Sequence, residues 1–198
     1  TQGFYLGKYE VTQAQYEAVM KGNTNGLSAT PSEWLNNLNR AVENISWADA
    51  QVFLNRLNAQ QSASIPAGWA YVLPTESQWE YACRAGTTTA HSWGDSIAST
   101  NANYNWDGDW NTGSDFKHTR DVGQYAPNQW GFFDMHGNVW EWTADWYHAT
   151  YPTGNPVIDP TGPTSGSHRI RRGGSWNNYS PDQRSARRHF LIPCYRYN

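Results

Sequence analysis

Cysteine and histidine are the residue types in this chain that could support redox or metal chemistry. There are two cysteines, Cys83 and Cys194, too few to indicate a disulfide scaffold, so the redox compartment stays open. The six histidines show no HxxxH-like or paired spacing that would hold a metal. No nucleophile elbow, P-loop or dinucleotide fingerprint occurs either. These patterns predict that the domain alone is not an enzyme.

The last stretch, residues 171–198, contains two kinds of residue. One kind is typical of a structural frame: Gly173, Gly174, Ser175, Trp176, Arg184, Ser185, Ala186, Arg188, Pro193 and Arg196. The other kind is replaceable: His189, Phe190, Leu191, Ile192, Cys194, Tyr195 and Tyr197. A frame that carries replaceable side chains indicates recognition rather than catalysis.

The apolar run that begins at His189 allows two interpretations. Short apolar runs are often buried strands. However, adjacent bulky residues between Arg188 and Pro193 would point to both faces of a strand, and Pro193 cannot donate to a ladder. We therefore expect an exposed surface, on which apolar and aromatic groups would be the usual components of a binding hot spot.

Length and composition favour one domain over residues 1–198. Twelve Trp and twelve Tyr accompany a mean hydropathy of -0.81, so large rings with polar tips fill the core. The net charge of -3 gives no general reason to expect a nucleic-acid partner, although arginines crowd the C-terminal end. No apolar run reaches the ~18 residues of a membrane span, and nothing at Thr1 resembles a signal peptide.

Capping patterns predict three helices, over residues 12–20, 46–58 and 75–86. Short strands are predicted at residues 4–10, 71–73, 139–147 and 169–175. Between 87 and 128 small polar residues and glycine dominate, and rings such as Trp93, Tyr104 and Trp130 are expected to anchor these long loops to the core.

Five segments in order carry a family resemblance: YLGKYEVT, ENISWADAQVFLNRLN, YVLPTESQWEYACRAGT, GFFDMHGNVWEWTADWY and RIRRGGSWNN. Together they resemble the formylglycine-generating-enzyme domain family. The resemblance implies an α+β, C-type-lectin-like fold of the formylglycine-generating-enzyme subtype, with two or three helices, short strands and long loops. It is weak evidence for activity, because one fold hosts many functions.

The enzymes of this family resemble one another in using two nearby C-terminal cysteines that hold copper(I) and activate oxygen on a substrate cysteine. Cys194 falls where the first would lie, but no second cysteine occurs up to Asn198, and Cys83 lies on a helix face expected to be buried. The related iron-dependent sulfoxide synthases need an additional helical domain, which these 198 residues do not contain. A copper-dependent oxidase truncated before its second cysteine remains the alternative, and an accessory domain without a diversified surface is a third.

The same segments are similar to the variable proteins of diversity-generating retroelements, with treponemal examples nearest. In those proteins mutagenesis of template adenines turns AAC codons into NNC codons, which could encode every bulky residue in question. The resemblance implies a non-catalytic protein whose region 171–198 binds a variable macromolecule, protein or glycan, at a cell surface or outer membrane, through a lipid anchor attached upstream. We define its predicted contact residues as the C-terminal face: Tyr179, Ser180, Asp182, Arg187, His189, Phe190, Leu191, Ile192, Cys194, Tyr195 and Tyr197.

The segment DMHGNVWE resembles a calcium site of the same family. The resemblance implies ligation by the side chains of Asp134 and Glu141 and by the backbone oxygens of Gly137 and Val139, and hard oxygen ligands on a tight turn suit calcium. The ion would be structural. In the other interpretation both carboxylates simply accept backbone hydrogen bonds. Calcium-dependent sugar binding is not expected, because the EPN-type or QPD-type motif is missing.

Overall fold

The computed structural model describes residues 3–35, 37–105, 117–151 and 157–196. These residues form three α-helices, α1 (Gln13–Met20), α2 (Trp47–Gln60) and α3 (Glu76–Arg84). Three strands follow, β1 (Glu141–Trp146), β2 (Arg169–Arg172) and β3 (His189–Leu191), with a 3-10 turn at Ser180–Gln183 before β3. The sheet has the order β1-β2-β3 and both pairs are antiparallel, so β3 lies at its edge. No helix of the described residues is long and apolar enough to cross a membrane.

The three helices begin where their capping signals predict. Thr12, Ser46 and Thr75 each accept a hydrogen bond from the third amide of the helix, and the side-chain oxygen at that third position accepts one from the amide of the cap residue. Each capping box satisfies two amides that have no partner inside the helix. α3 ends at Ala85, whose φ of 47° is left-handed. The helix predictions are confirmed.

Two of the predicted strands are wrong. At residues 71–73 the side chain of Asn58 takes the backbone bonds that a neighbouring strand would take, with both Tyr71 N to Oδ1 and Nδ2 to Tyr71 O at 2.8 Å. At residues 4–10 the Lys8 carbonyl accepts from the Phe133 amide at 3.0 Å, but the described residues do not continue this contact into a ladder. The predicted strands at 139–147 and 169–175 form over shorter spans, as β1 and β2.

Two buried clusters form the core. The first joins α1 to α2, where the rings of Tyr16 and Phe53 stack at 5.3 Å between centroids. The second lies beside the sheet and contains Trp79, Ala82, Cys83 and Met135. Of the rings predicted to anchor loops, Tyr104 is buried. Trp93 and Trp130 are 39% and 45% exposed, and Trp93 stacks on the buried His91 whereas Trp130 packs on the exposed Tyr81.

Candidate functional site

The segment that carries most of the C-terminal face is held at both ends by arginines paired with the first turns of helices. Arg188 is bidentate to Glu76 of α3, at 2.7 and 2.8 Å. Arg196 is bidentate to Asp49 of α2, at 2.6 and 2.8 Å. Between them the carbonyl of Pro193 accepts from the amide of Ala48 at 3.1 Å. Two predicted frame arginines and a backbone oxygen therefore set the path of residues 188–196.

The turn at Ser180–Gln183 is held from beneath by Gln183, which is fully buried. Its Nε2 donates to the carbonyls of Ser175, Asn178 and Tyr179 at 3.3, 3.1 and 3.4 Å. We did not single out Gln183 from the sequence. Gly174 is the related sequence feature, because a Cβ at that position would clash with the Gln183 side chain and a glycine is therefore needed there.

Trp176 and Arg184, the remaining predicted frame residues of this region, differ in role. Trp176 packs edge-on against Trp34, with ring centroids 6.3 Å apart. Arg184 is exposed and donates to the carbonyl of Pro181 at 3.0 Å within its own loop, so it does not tie the face to the core. That role belongs to Arg172, which is fully buried, pairs with Glu76 and Glu80, and donates to the carbonyls of Ser185 and Arg187.

β3 places two neighbouring side chains of the C-terminal face against different aromatic partners. Phe190 pairs in register with Ile170, and His189 with Arg171. The Phe190 ring stacks on Tyr147, with centroids 3.8 Å apart. The His189 ring lies 5.1 Å from that of Trp140 and 6.0 Å from that of Phe190. The rings of these two neighbouring residues are therefore close to each other while each contacts a different aromatic side chain of the segment around β1.

None of the described residues of the C-terminal face is buried. Tyr179, Phe190, Ile192 and Tyr195 are 50%, 39%, 42% and 47% exposed. Arg187 and Cys194 are also exposed, while Ser180, Asp182, His189 and Leu191 are partly buried. Tyr197 lies outside the described residues. The apolar run is a strand, as one interpretation held, but its side chains are not enclosed.

The two cysteines do not form a pair. Cys83 belongs to the second core cluster, 3.6 Å from both the Met135 carbonyl and Nε2 of His136, and burial raises the pKa of its thiol to about 12. Cys194 is exposed, and both thiols are free. A bis-thiolate copper site needs both sulfurs on one ion, and this pair does not fit it. Across the described ranges no three His, Cys, Asp or Glu side chains are grouped to hold a metal.

The DMHGNVWE segment is a tight turn in which Asp134, Gly137 and Asn138 have left-handed φ values of 55°, 90° and 62°. One oxygen of Asp134 accepts a hydrogen bond from the amide of Gly123 at 2.6 Å, which fits the interpretation in which the carboxylate accepts backbone hydrogen bonds. A third carboxylate, from Glu10, also enters the turn, although the sequence did not single it out. It accepts from Asn138 Nδ2 at 2.6 Å and from the amide of Val139 at 3.1 Å.

The carboxyl groups around this turn are the observation that fits a cation, because burial disfavours their charge when no positive partner is present. Burial raises the pKa of Glu141 to about 7. Burial, followed by repulsion from Asp134 and Glu141, raises the pKa of Glu10. Asp134 and Glu141 are the oxygen donors that calcium prefers, and the backbone oxygens of Gly137 and Val139 would have to complete the set.

A cavity of about 710 Å³ lies behind part of the C-terminal face. Its walls are mostly aliphatic and aromatic side chains from α1, α2 and the segment around β1. Trp140 and Arg171 line it and also contact His189. These two side chains therefore separate the cavity from the face.

Residues 1–197 match the family model described as "Sulfatase-modifying factor enzyme 1-like domain". The chain belongs to this family. Among its relatives of the sulfatase-modifying-factor type, the formylglycine-generating enzyme of Mus musculus is 35% identical over 152 residues, which are 73% of this chain and 37% of that protein. The formylglycine-generating enzyme of Streptomyces coelicolor is 37% identical over 147 residues, 70% of this chain and 42% of that protein. The chain thus spans less than half the length of either relative.

Solved structures agree on the fold of this sulfatase-modifying-factor domain. Treponema denticola variable protein 1 superposes with a TM-score of 0.76 at 30% identity, covering 96% of this chain and 80% of that one. PvdO from Pseudomonas aeruginosa, at 23% identity and a TM-score of 0.74, covers 96% of this chain and 74% of its own, and shows the fold alone. The predicted α+β fold and the resemblance to formylglycine-generating enzymes and a treponemal variable protein are confirmed.

Proposed function

We propose that this domain is a non-catalytic binding protein whose C-terminal face contacts a variable macromolecular ligand, protein or glycan. One observation carries the proposal: frame arginines and backbone atoms hold residues 188–196, while the described side chains of the face remain partly or fully exposed. A loop held in one conformation loses little entropy on binding. Exposed tyrosine, phenylalanine and isoleucine can supply the buried anchors of an interface. The likeness to a variable protein supports this function.

The proposal includes diversification of the face by a retroelement and display at a cell surface or outer membrane, by a lipid anchor attached upstream. Genome sequence tests the first part. A near-copy of the stretch encoding residues 171–198 should lie beside a reverse transcriptase gene and differ at template adenines. Finding only one copy and no reverse transcriptase would contradict diversification. Protease accessibility on intact cells tests display.

Binding is tested with the most exposed residues of the face. The triple variant Tyr179→Asn, Ile192→Asn and Tyr195→Asn should lose binding to intact cells and to protein and glycan arrays while its thermal transition stays within a few degrees of the original. A control triple variant of aromatic residues that are similarly or more exposed elsewhere, Tyr5→Asn, Trp69→Asn and Tyr71→Asn, should bind normally. Loss of binding in the control variant alone would place the ligand on another surface.

The relatives named formylglycine-generating enzyme support one alternative, a copper-dependent oxidase that acts on a substrate cysteine. It would need a second cysteine outside these 198 residues. Oxygen consumption with copper(I) and a cysteine-containing peptide discriminates between the two. Turnover that disappears in Cys194→Ser would replace the binding proposal with the oxidase.

We also propose a structural calcium at Asp134, Gly137, Val139 and Glu141, supported by the carboxyl groups around this turn, whose charged form burial disfavours without a positive partner. Calcium should raise the melting temperature in a concentration-dependent way after EDTA treatment, because it binds the folded state only. The variant Glu141→Gln should lose this response, and Mg²⁺ should substitute poorly. An equal melting temperature with calcium and with EDTA would contradict the site.

A further inference from the structure

His189 is held between two partners on one side of β3. Nε of Arg171, which is buried, donates to Nδ1 of His189 at 3.1 Å. The guanidinium of Arg171 lies 4.9 Å from the ring centroid of Trp140, and that ring lies 5.1 Å from the His189 ring. Trp140 is itself fixed, because its Nε1 donates to Oδ1 of Asn178 at 2.8 Å. The imidazole therefore has one supported orientation.

This contact decides where the imidazole carries its proton. An arginine Nε is always a donor, so Nδ1 of His189 must offer its lone pair. A neutral imidazole has one N–H, which must then be on Nε2. Among the described residues none forms a hydrogen bond to Nε2, and the side chain is partly exposed. His189 thus presents a single N–H donor to the surroundings.

The charges around His189 keep the ring neutral. Burial, followed by the positive charges of Arg171 on β2 and Arg187 on the preceding loop, lowers the pKa of His189 to about 4, against the opposing effect of Asp182. Asp182 is paired with Arg187 at 2.8 Å, which offsets one charge. The donor therefore stays the same across the physiological range of pH, and it lies where the potential favours an anion.

Building on the proposed function, we propose that His189 is a specificity-determining residue, whose Nε2–H donates a hydrogen bond to the carboxylate of an aspartate or glutamate side chain on a protein partner. A partner that places a hydrogen-bond donor opposite Nε2 would bind more weakly, because two donors would then face each other without an acceptor. A protein is favoured because Ile192, three positions along the same segment, is 42% exposed and matches apolar side chains. A sugar surface rich in hydroxyls would lose hydration against it without compensation.

The tautomer is tested without any ligand. Long-range ¹H–¹⁵N spectra of the labelled protein should show His189 protonated at Nε2 and unprotonated at Nδ1, unchanged from pH 5 to pH 7. The variant Arg171→Gln should let the ring protonate nearer the ordinary histidine pKa of about 6.5. A proton on Nδ1, or a protonation midpoint near that value in the original protein, would overturn the inference.

The partner chemistry is tested with a phage-displayed library of random dodecapeptides. Selected peptides should be enriched in Asp or Glu next to apolar residues, and replacing the acid by its amide should weaken binding about tenfold or more. His189→Leu should show the same loss, while His189→Gln, which keeps a terminal N–H donor, should retain most of the affinity. His189→Leu removes the acceptor of buried Arg171 and should lower the melting temperature by a few degrees, so affinities are compared well below the melting temperatures of both variants.

The outcomes separate this inference from the proposed function. Peptides that bind without acidic enrichment, or that bind His189→Leu as tightly as the original, refute the role of His189 while the binding function stands. A library without any binder refutes a protein carboxylate as ligand. If the original protein also fails on cells and arrays, the proposed function falls as well.

Discussion

Arg188 should contribute more to folding than Arg196, although each pairs with a carboxylate in the first turn of a helix. Glu76 is 5% exposed, and without Arg188 its remaining cation is Arg172, whose Nε lies 3.4 Å away. Breaking a buried pair costs about 3–5 kcal/mol. Because Arg172 remains, we expect Arg188→Ala to lower the free energy of unfolding by about 2–3 kcal/mol.

Arg196 lies in a wetter setting, because its side chain is 49% exposed. Asp49 also keeps its hydrogen bond from the amide of Ser46 when the arginine is lost. Arg196→Ala should therefore cost about 1 kcal/mol or less.

Urea unfolding and calorimetry measure this difference. For a domain of this size, Arg188→Ala should lower the melting temperature by roughly 4–12 °C and Arg196→Ala by only a few degrees. Arg188→Lys keeps the positive charge but not the bidentate contact with Glu76, so it should lower the free energy of unfolding by less than Arg188→Ala does. Equal losses for the two alanine variants would refute the assignment of Arg188 as the buried anchor.

Three further predictions concern the turn, the sheet and the thiols. Gly137→Ala should lower the free energy of unfolding by at least about 3 kcal/mol, because its Cβ would clash with the Asn103 carbonyl. Gly131 has a similar φ but open space around it, so Gly131→Ala should lower that free energy by only about 1 kcal/mol. Equal losses in urea unfolding would contradict the clash. Burial raises the pKa of Asp145 to about 6, so the folded protein keeps this carboxyl protonated to a higher pH than the unfolded chain does. The free energy of unfolding, relative to that of Asp145→Asn, should therefore fall by roughly 1–3 kcal/mol as the pH rises from about 4 to 6. Urea unfolding at several pH values measures this, and an increase over that range would contradict the raised pKa. In the native protein Cys194 should react quickly with Ellman's reagent and Cys83 only on unfolding. Cys194→Ser should therefore abolish the fast phase of the reaction. A fast phase that persists in this variant would show that Cys83 is accessible.

Local signals predicted the helices because their information lies within three residues. Ser46 and Asp49 form both halves of a capping box, and Thr75 and Gln78 form another. The strands at 4–10 and 71–73 failed because strand formation depends on a distant partner. At Tyr71 that partner is a side chain, Asn58, which no alternation pattern reveals.

The anchors of the C-terminal face could be recognised from the sequence only in part. Arg188 and Arg196 stood out as frame residues, but their carboxylate partners are 112 and 147 positions away. Gln183 lies between two charged residues and gives no pattern of its own. The direction of each side chain on β3 follows from its register with β2, which a single sequence does not specify.

The attachment of residues 188–196 by its two ends has an engineering consequence. This segment is fixed by two bidentate arginines, by the pairing of β3 with β2 and by the Pro193 carbonyl, and the backbone groups among these contacts are present whatever the side chains. Residues 189–195 therefore form a segment whose side chains can be replaced while Arg188 and Arg196 keep its ends attached to α3 and α2. Libraries randomised between these two arginines would make the domain a scaffold for engineered binding proteins.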